Sequence, residues 1–326
     1  FCLALFQGVM QGIHQPFRQS LIGNIVKRSE MTSAIGINST IWNTSRMIGP
    51  AISAAIILNF GVGITFLVNA FSFIPMLVTL YMIETAQKPQ SGKSLSSIPE
   101  EILEGVRYAA GHGFIGPLIV IVFCFSFFGR ATAELLPAYS DRIFAFGPDG
   151  LAMLTGAAGL GSLISGFWLS QRGRLVGLAD ILTVNLVFLA VFQLLFTQSD
   201  MLLQDPAKFT IHVPLLNLSV EASADLIAGA IVIAFWGAVL NGSGIIVQSL
   251  IQANVPDSIR GRIVSLYGMM WLGTPAVGAF VMGIIADFTD FRMPVAVSAA
   301  VILVAALRSF MLRVRFREEI ARMSRD

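Results

Sequence analysis

Apolar residues fill this chain in long uninterrupted runs, with neither strand-like alternation nor a single helical stripe. Nine stretches reach membrane length, near residues 1–26, 34–58, 63–83, 114–138, 150–170, 175–197, 225–250, 262–287 and 294–314. A helix needs about 20 mostly apolar residues to cross the hydrocarbon core. The runs are too long for barrel strands, and lipid offers no partner to free backbone groups, so each predicts a helix. Residues 84–113 differ. They are polar from Gln87 to Ser97 and then read IPEEILEGVRYAAGH, with Ile98, Ile102, Leu103 and Val106 on one helical face and Glu100, Glu101, Glu104 and Arg107 elsewhere. That pattern predicts an amphipathic helix on the membrane surface or against the bundle.

Composition supports lipid as the solvent. Of 326 residues, 55% are hydrophobic and 12% charged, about half the charge of a soluble domain. The basic residues mark one side of the expected topology. Lys27, Arg28, Lys88, Lys93, Arg107, Arg172, Arg174, Arg260, Arg262, Arg313, Arg315, Arg317, Arg322 and Arg325 fall on one side, and only Arg142, Lys208 and Arg292 on the other. The richer side is expected to be cytoplasmic, with the C-terminus inside. Basic residues spread through loops argue against nucleic acid as a partner. Cys2 and Cys124 sit in apolar runs and read as packing residues. The three histidines show no metal-ligand spacing, and no cofactor is expected. The opening run FCLALFQGVMQG carries neither a basic leader nor a small-residue cleavage site, so it reads as the interior of a longer protein.

An internal repeat organises the spans. The first ends QSLIGNIV (Gln19 to Val26) and the seventh QSLIQANV (Gln248 to Val255). A basic loop follows each, and then a span with a proline among small residues: Gly49-Pro50-Ala51 in one, Thr274-Pro275-Ala276 in the other. Six spans apart, the copies point the same way, as in two bundles related by an axis along the membrane normal. The expected division is 1–83 for the last three helices of an N-terminal bundle, 84–113 for a linker, 114–314 for a C-terminal six-helix bundle and 315–326 for a basic tail. On that division three helices precede residue 1.

The runs QPFRQSLIGNIV, NSTIWNTSRMIGPAISAAI, LEGVRYAAGH, ELLPAYSD, GAAGLGSLISG and NVPDSIRGRIVSLYGMM resemble the major facilitator superfamily. The likeness is to its branch of enterobactin-exporter-like and drug-efflux permeases and extends over nearly the whole chain. It implies an all-α membrane protein of two six-helix bundles, with about nine of twelve helices present. It also implies residence in a bacterial inner membrane and export driven by the proton gradient. Gly49-Pro50 matches the glycine-proline signature of antiporters in the family, and GFWLSQRGR (Gly166 to Arg174) matches the superfamily loop motif in its second-half position, with Ser170 where Asp is usual. The resemblance thereby assigns conformational roles to Gly49, Pro50, Gly166, Arg172, Gly173 and Arg174. The segment from Thr197 to Ala224 is longer than the resemblance implies, and its apolar IHVPLLNLSV suits the membrane surface or a cap over the cavity.

Polar residues inside spans are costly and call for a reason. Gln7, Gln11, His14 and Arg18 recur on one face of the first span, a stripe suited to a water-filled cavity or to interhelical hydrogen bonds. Asn38, Asn43 and Arg46 precede Gly49-Pro50, where the proline can bend the helix. Asn241-Gly242-Ser243-Gly244, followed by Gln248, predicts a distorted helix bordering the cavity, or else close packing. Arg260 and Arg262 read as supports at the start of a helix. Arg130 and Glu134 lie one turn apart and can pair. Burial favours the neutral carboxyl and a neighbouring guanidinium the charged one, so Glu134 is the candidate proton carrier; a permanent salt bridge is the alternative.

No catalytic constellation or phosphate loop stands out. The leading expectation is therefore a proton-coupled exporter of a small amphipathic molecule, siderophore or drug-like, acting as a monomer by alternating access. Uptake or facilitated diffusion stays open, as does a non-transporting receptor or scaffold. The topology is checked by fusion: green fluorescent protein after Asp326 should fluoresce, and a cysteine replacing Arg142 should react with impermeant reagents outside intact cells. The reverse pattern would invert the assigned orientation.

Overall fold

The computed structural model describes residue 10 and residues 31–82, 98–170, 177–201, 208–213 and 218–323. Its helices are α1 (Met31–Met82), α2 (Ile98–Gly111), α3 (Ile115–Cys124), α4 (Thr132–Ala138), α5 (Gly147–Ser170), α6 (Leu178–Thr197), α7 (Ala224–Asn254), α8 (Asp257–Gly268), α9 (Thr274–Phe288) and α10 (Arg292–Met323). Two strands, β1 (Lys208–Val213) and β2 (Leu218–Ser223), pair antiparallel between α6 and α7.

Among the described residues six helical stretches are long and apolar enough to cross a membrane: Ile115–Ile143, Gly147–Leu169, Leu178–Thr197, Ala224–Ile251, Gly261–Phe288 and Arg292–Met311. They fall on the last six expected spans. The first expected span lies outside the described residues. The second and third fall within α1, which continues through the expected loop at residues 59–62 and departs from helical geometry at Gly61 (φ 80°, ψ 168°). Only glycine takes that conformation readily, so the kink belongs there. Gly49 and Pro50 lie in the regular part of α1. The expected proline bend is thus corrected to Gly61.

The span Ile115–Ile143 is α3 and α4 joined by a π-helical turn, Phe125–Arg130, with a second π turn at Tyr139–Ile143. A third, Met269–Gly273, joins α8 to α9. Helix pairing is densest between α5 and α7 and between α6 and α10, and α1 packs on α5. Small residues make the α5–α7 contact close: a Cβ on Gly161 would overlap Ala234 O, and one on Gly237 would overlap Ala158 O. Ser162 Oγ bridges the pair by reaching Gly237 O at 3.1 Å. Close backbone approach is how helices associate where lipid removes the hydrophobic drive. In-span hydroxyls turn onto carbonyls of their own helix, Thr183 onto Ala179 O at 3.1 Å and Thr155 onto Leu151 O at 2.7 Å.

The expected amphipathic helix is α2, but it packs by a different face. Gly105 and Ala109 are buried and lie toward α8, while Leu103 and Val106 are exposed. The face turned to the protein is set by small size, and the larger apolar side chains are left facing outward. Glu104 holds Arg262 of α8 at 2.6 Å. The segment read as an apolar cap is in part the β1–β2 hairpin. It rests on the start of α5, where Asp149 accepts the Glu221 N–H at 3.4 Å and Lys208 Nζ lies 4.6 Å from the Phe146 ring. Ser223 closes the hairpin and caps α7 by accepting the Leu226 N–H at 3.2 Å.

The α5–α7 contact yields a comparison. Gly161→Ala should lower the thermal midpoint measurably in detergent, since overpacking a tight contact costs about 1–3 kcal/mol. Gly156→Ala, where no atom lies within 4 Å of the added carbon, should leave the midpoint within error. Equal effects would remove close approach as the reason for glycine at 161.

Candidate functional site

Two of the π turns meet. Such turns insert one residue into a helix and re-aim the side chains around it, often at functional sites. The Phe125–Arg130 turn faces the Met269–Gly273 turn, and Ser126 Oγ donates to Trp271 O at 3.2 Å. Across this junction the Arg130 guanidinium lies 4.7 Å from the centre of the Trp271 ring. A guanidinium over an indole is attracted to the ring's negative face, by about 0.5–1 kcal/mol when exposed and more when desolvated.

The indole is held on several sides. Phe125 meets it edge-on with ring centres 5.9 Å apart, and Tyr267 lies nearly parallel at 6.3 Å. Tyr267 is itself fixed by donating its hydroxyl to Gly244 O at 3.0 Å. A Cβ on Gly244 would come within 2.7 Å of the indole. The second glycine of the Asn-Gly-Ser-Gly run thus makes room for Trp271. Beside the cation the surface is open: Phe123 and Glu134 are exposed and Phe127 is half-buried, as are Arg130 and Trp271. The site therefore combines a cation held on an aromatic ring, an exposed carboxylate one turn along, and an aromatic surface.

The expected Arg130–Glu134 pair is not among the ion pairs of the described residues, which are Arg262–Glu104 and Arg292–Asp200. Arg130 is instead placed on Trp271. The physical reason lies between the two residues: the chain tightens at Ala131, whose carbonyl accepts the Glu134 N–H at 3.0 Å, so the i, i+4 register of a regular α-helix is not kept.

The Asn241–Gly244 segment is regular α-helix within α7, so the expected distortion is corrected. Ser243 is fully buried and donates to Val239 O at 2.7 Å, which makes it a packing residue here and not a cavity-lining one. Asn241 Nδ2 donates to Ser162 O at 2.9 Å and ties α7 to α5. Gln248 is half-buried on the same helix. Arg262 lies near the start of α8, on Glu104, while Gly166 is half-buried on α5. Gln7, Gln11, His14, Arg18, Arg172, Gly173 and Arg174 lie outside the described residues. So do the side chains of Asn38, Asn43, Arg46, Pro50 and Arg260, although their backbone is helical. Gly49 is half-buried with nothing within 4 Å of an added Cβ.

Two participants were missed in the sequence: Trp271, which its apolar surroundings hide, and Gln193. The latter was detectable as the lone polar residue in VFLAVFQLLF.

Among the described residues, six apolar spans closely packed through small residues define a polytopic helical membrane protein. The family model for transmembrane secretion effectors (MFS_3) matches residues 1–326, so the chain belongs to that family of the major facilitator superfamily. It is also similar to an uncharacterized MFS-type transporter, YfmI, of Bacillus subtilis (strain 168), with 24% identity over 168 residues, 51% of this chain and 40% of that protein. The aligned region thus spans about two-fifths of that relative's length.

The packing of the indole is open to direct measurement. The chain has four tryptophans. With Trp42, Trp168 and Trp236 changed to Phe, Gly244→Ala should shift the emission of Trp271, because the added methyl displaces the ring. Gly268→Ala, where nothing lies within 4 Å, should not. An unmoved spectrum in Gly244→Ala would show that this glycine does not position the indole.

Proposed function

We propose that this chain is part of a secondary active transporter, and that it exports a small amphipathic molecule, siderophore or drug-like, in exchange for protons that move down their gradient. The observation that carries the reading is the placement of Arg130 on Trp271 beside the exposed Glu134, within a membrane-length span. A charged pair of positions on an uncovered helix face is poorly suited to acyl chains and well suited to a hydrated passage. Glu134 is read as the group that takes up a proton on one side and releases it on the other. The Phe123–Phe127 surface, with ring centres 5.4 Å apart, would receive the apolar part of a substrate.

Family membership supports a transport role, and the Bacillus relative is named as a transporter too. The enterobactin-exporter-like branch, the bacterial inner membrane and the cytoplasmic C-terminus belong to the same reading. It also holds that about three helices precede residue 1, that α1 belongs to the N-terminal bundle, and that residues 114–314 form the C-terminal one. The close packing of α1 on α5 would then be a contact between halves, which alternating access must rework. Arg262–Glu104 would brace the cytoplasmic end of the C-terminal bundle.

The test is proton release from energised everted vesicles carrying the complete protein, followed with a pH-sensitive dye while candidate siderophores and drugs are added. A substrate should release protons from wild-type vesicles. In Glu134→Gln the release should fall by about tenfold or more, as expected when a group essential to coupling loses its titration. Undiminished release in that variant would remove Glu134 from coupling. Flux without proton movement would favour a facilitative permease.

A further inference from the structure

The span Ile115–Ile143 is held from two sides. Arg130 lies on Trp271 on one. On the other, Gln193 of α6, Thr132 of α4 and Ser298 of α10 converge on a single backbone oxygen, Phe128 O, inside the π turn. Gln193 Nε2 donates to Thr132 Oγ1 at 2.6 Å and to Ser298 Oγ at 3.1 Å. Ser298 Oγ donates to Phe128 O at 2.6 Å, and Thr132 Oγ1 reaches the same carbonyl at 3.5 Å. Gln193, Thr132 and Ser298 are all buried.

The direction of these bonds follows from proton count. Each hydroxyl has one proton. Once that proton points at Phe128 O, the hydroxyl oxygen can only accept, so the amide must present its NH2 to both. Gln193 Oε1 is then left buried with no hydrogen-bond partner. A network built only for stability would satisfy that oxygen. This one leaves an acceptor open and spends both amide protons on the π turn.

A π turn holds one residue more than an α-helical turn. Converting it to α would rotate the parts of the span on either side by about 100° relative to each other. Arg130 is the last residue of the turn, so that rotation would take it off Trp271.

The geometry points to Gln193 as a positioning residue: through Thr132 and Ser298 it pins Phe128 O, holds Phe125–Arg130 in the π form and keeps Arg130 on Trp271 from the opposite side of the span. Release of this latch takes Arg130 off Trp271. The inference rests on the reading of Arg130 as part of the transport site. Its test is spectroscopic, however, and requires no transport, so the two can fail separately.

The experiment uses the full chain in lipid nanodiscs with Trp42, Trp168 and Trp236 replaced by Phe, so that emission reports on Trp271 alone. In that parent, Arg130→Gln should shift the emission because the cation leaves the ring. Gln193→Met, nearly equal in size but without donors, should give a shift in the same direction. Adding Arg130→Gln to Gln193→Met should then change little, the non-additive result of two residues acting on one contact. Arg142→Gln, which removes a cation from the Phe291 ring, should leave the signal unmoved. If Gln193→Met proves unstable, Ser298→Ala removes the donor to Phe128 O and should give a smaller shift of the same sign. An Arg130→Gln response that survives intact beside Gln193→Met or Ser298→Ala would overturn the proposal.

Discussion

Hydrocarbon offers no hydrogen-bond partner, so each polar group placed in it must be satisfied by the protein or by water that the protein admits. The described part of this chain follows that constraint with two buried exceptions, Gln193 Oε1 and Trp236 Nε1. Backbone groups are enclosed in helices, and serine and threonine hydroxyls turn back onto carbonyls. The helices lie close enough for one residue's side chain to serve another helix's backbone, as Ser162 does for Gly237 and Asn241 for Ser162. The glycines at 161, 237 and 278 follow from the same constraint, since each lies where an added Cβ would overlap a carbonyl of the neighbouring helix.

Two of the places where the regular helix relaxes adjoin. The π turns at Phe125–Arg130 and Met269–Gly273 bring Arg130 to Trp271, and the first of them is served by buried side chains on its far side. An arginine in a span is stable when its charge meets an aromatic face and its surroundings are fixed, and both conditions hold here. The same arrangement leaves Glu134 exposed. The π turn itself is a backbone state distinct from the regular helix on either side of it. Alternating access requires elements of this kind, with two discrete settings and a modest barrier between them.

Much of the fold could be read from the sequence because lipid imposes one rule on every span. Length and apolarity located the six membrane-length helices, and the gap at residues 59–62 marked the place where Gly61 breaks α1. Arg130 and Glu134 stood out by charge alone. Their partners did not, because i, i+4 spacing assumes an unbroken α-helix and the tightened turn at Ala131, between the two residues, defeats it. The Asn-Gly-Ser-Gly run suggested a distorted helix, but its glycines instead make room for Asn185 and Trp271. The buried face of α2 was hidden because packing chose the small Gly105 and Ala109 where hydrophobicity pointed elsewhere. Gln193 was visible as an isolated polar residue, yet nothing in its neighbours named Phe128 O as its object.

The central claim is that the Arg130–Glu134 face borders water and not acyl chains. Thiol accessibility measures this directly. In a chain with Cys2 and Cys124 replaced by serine and reconstituted in liposomes, Glu134→Cys should react readily with a water-soluble maleimide, since the thiolate forms only where water reaches it. Val304→Cys, on an exposed part of α10, should react slowly as a lipid-facing control. Equal, slow reaction at both positions would place Glu134 against lipid and contradict the account.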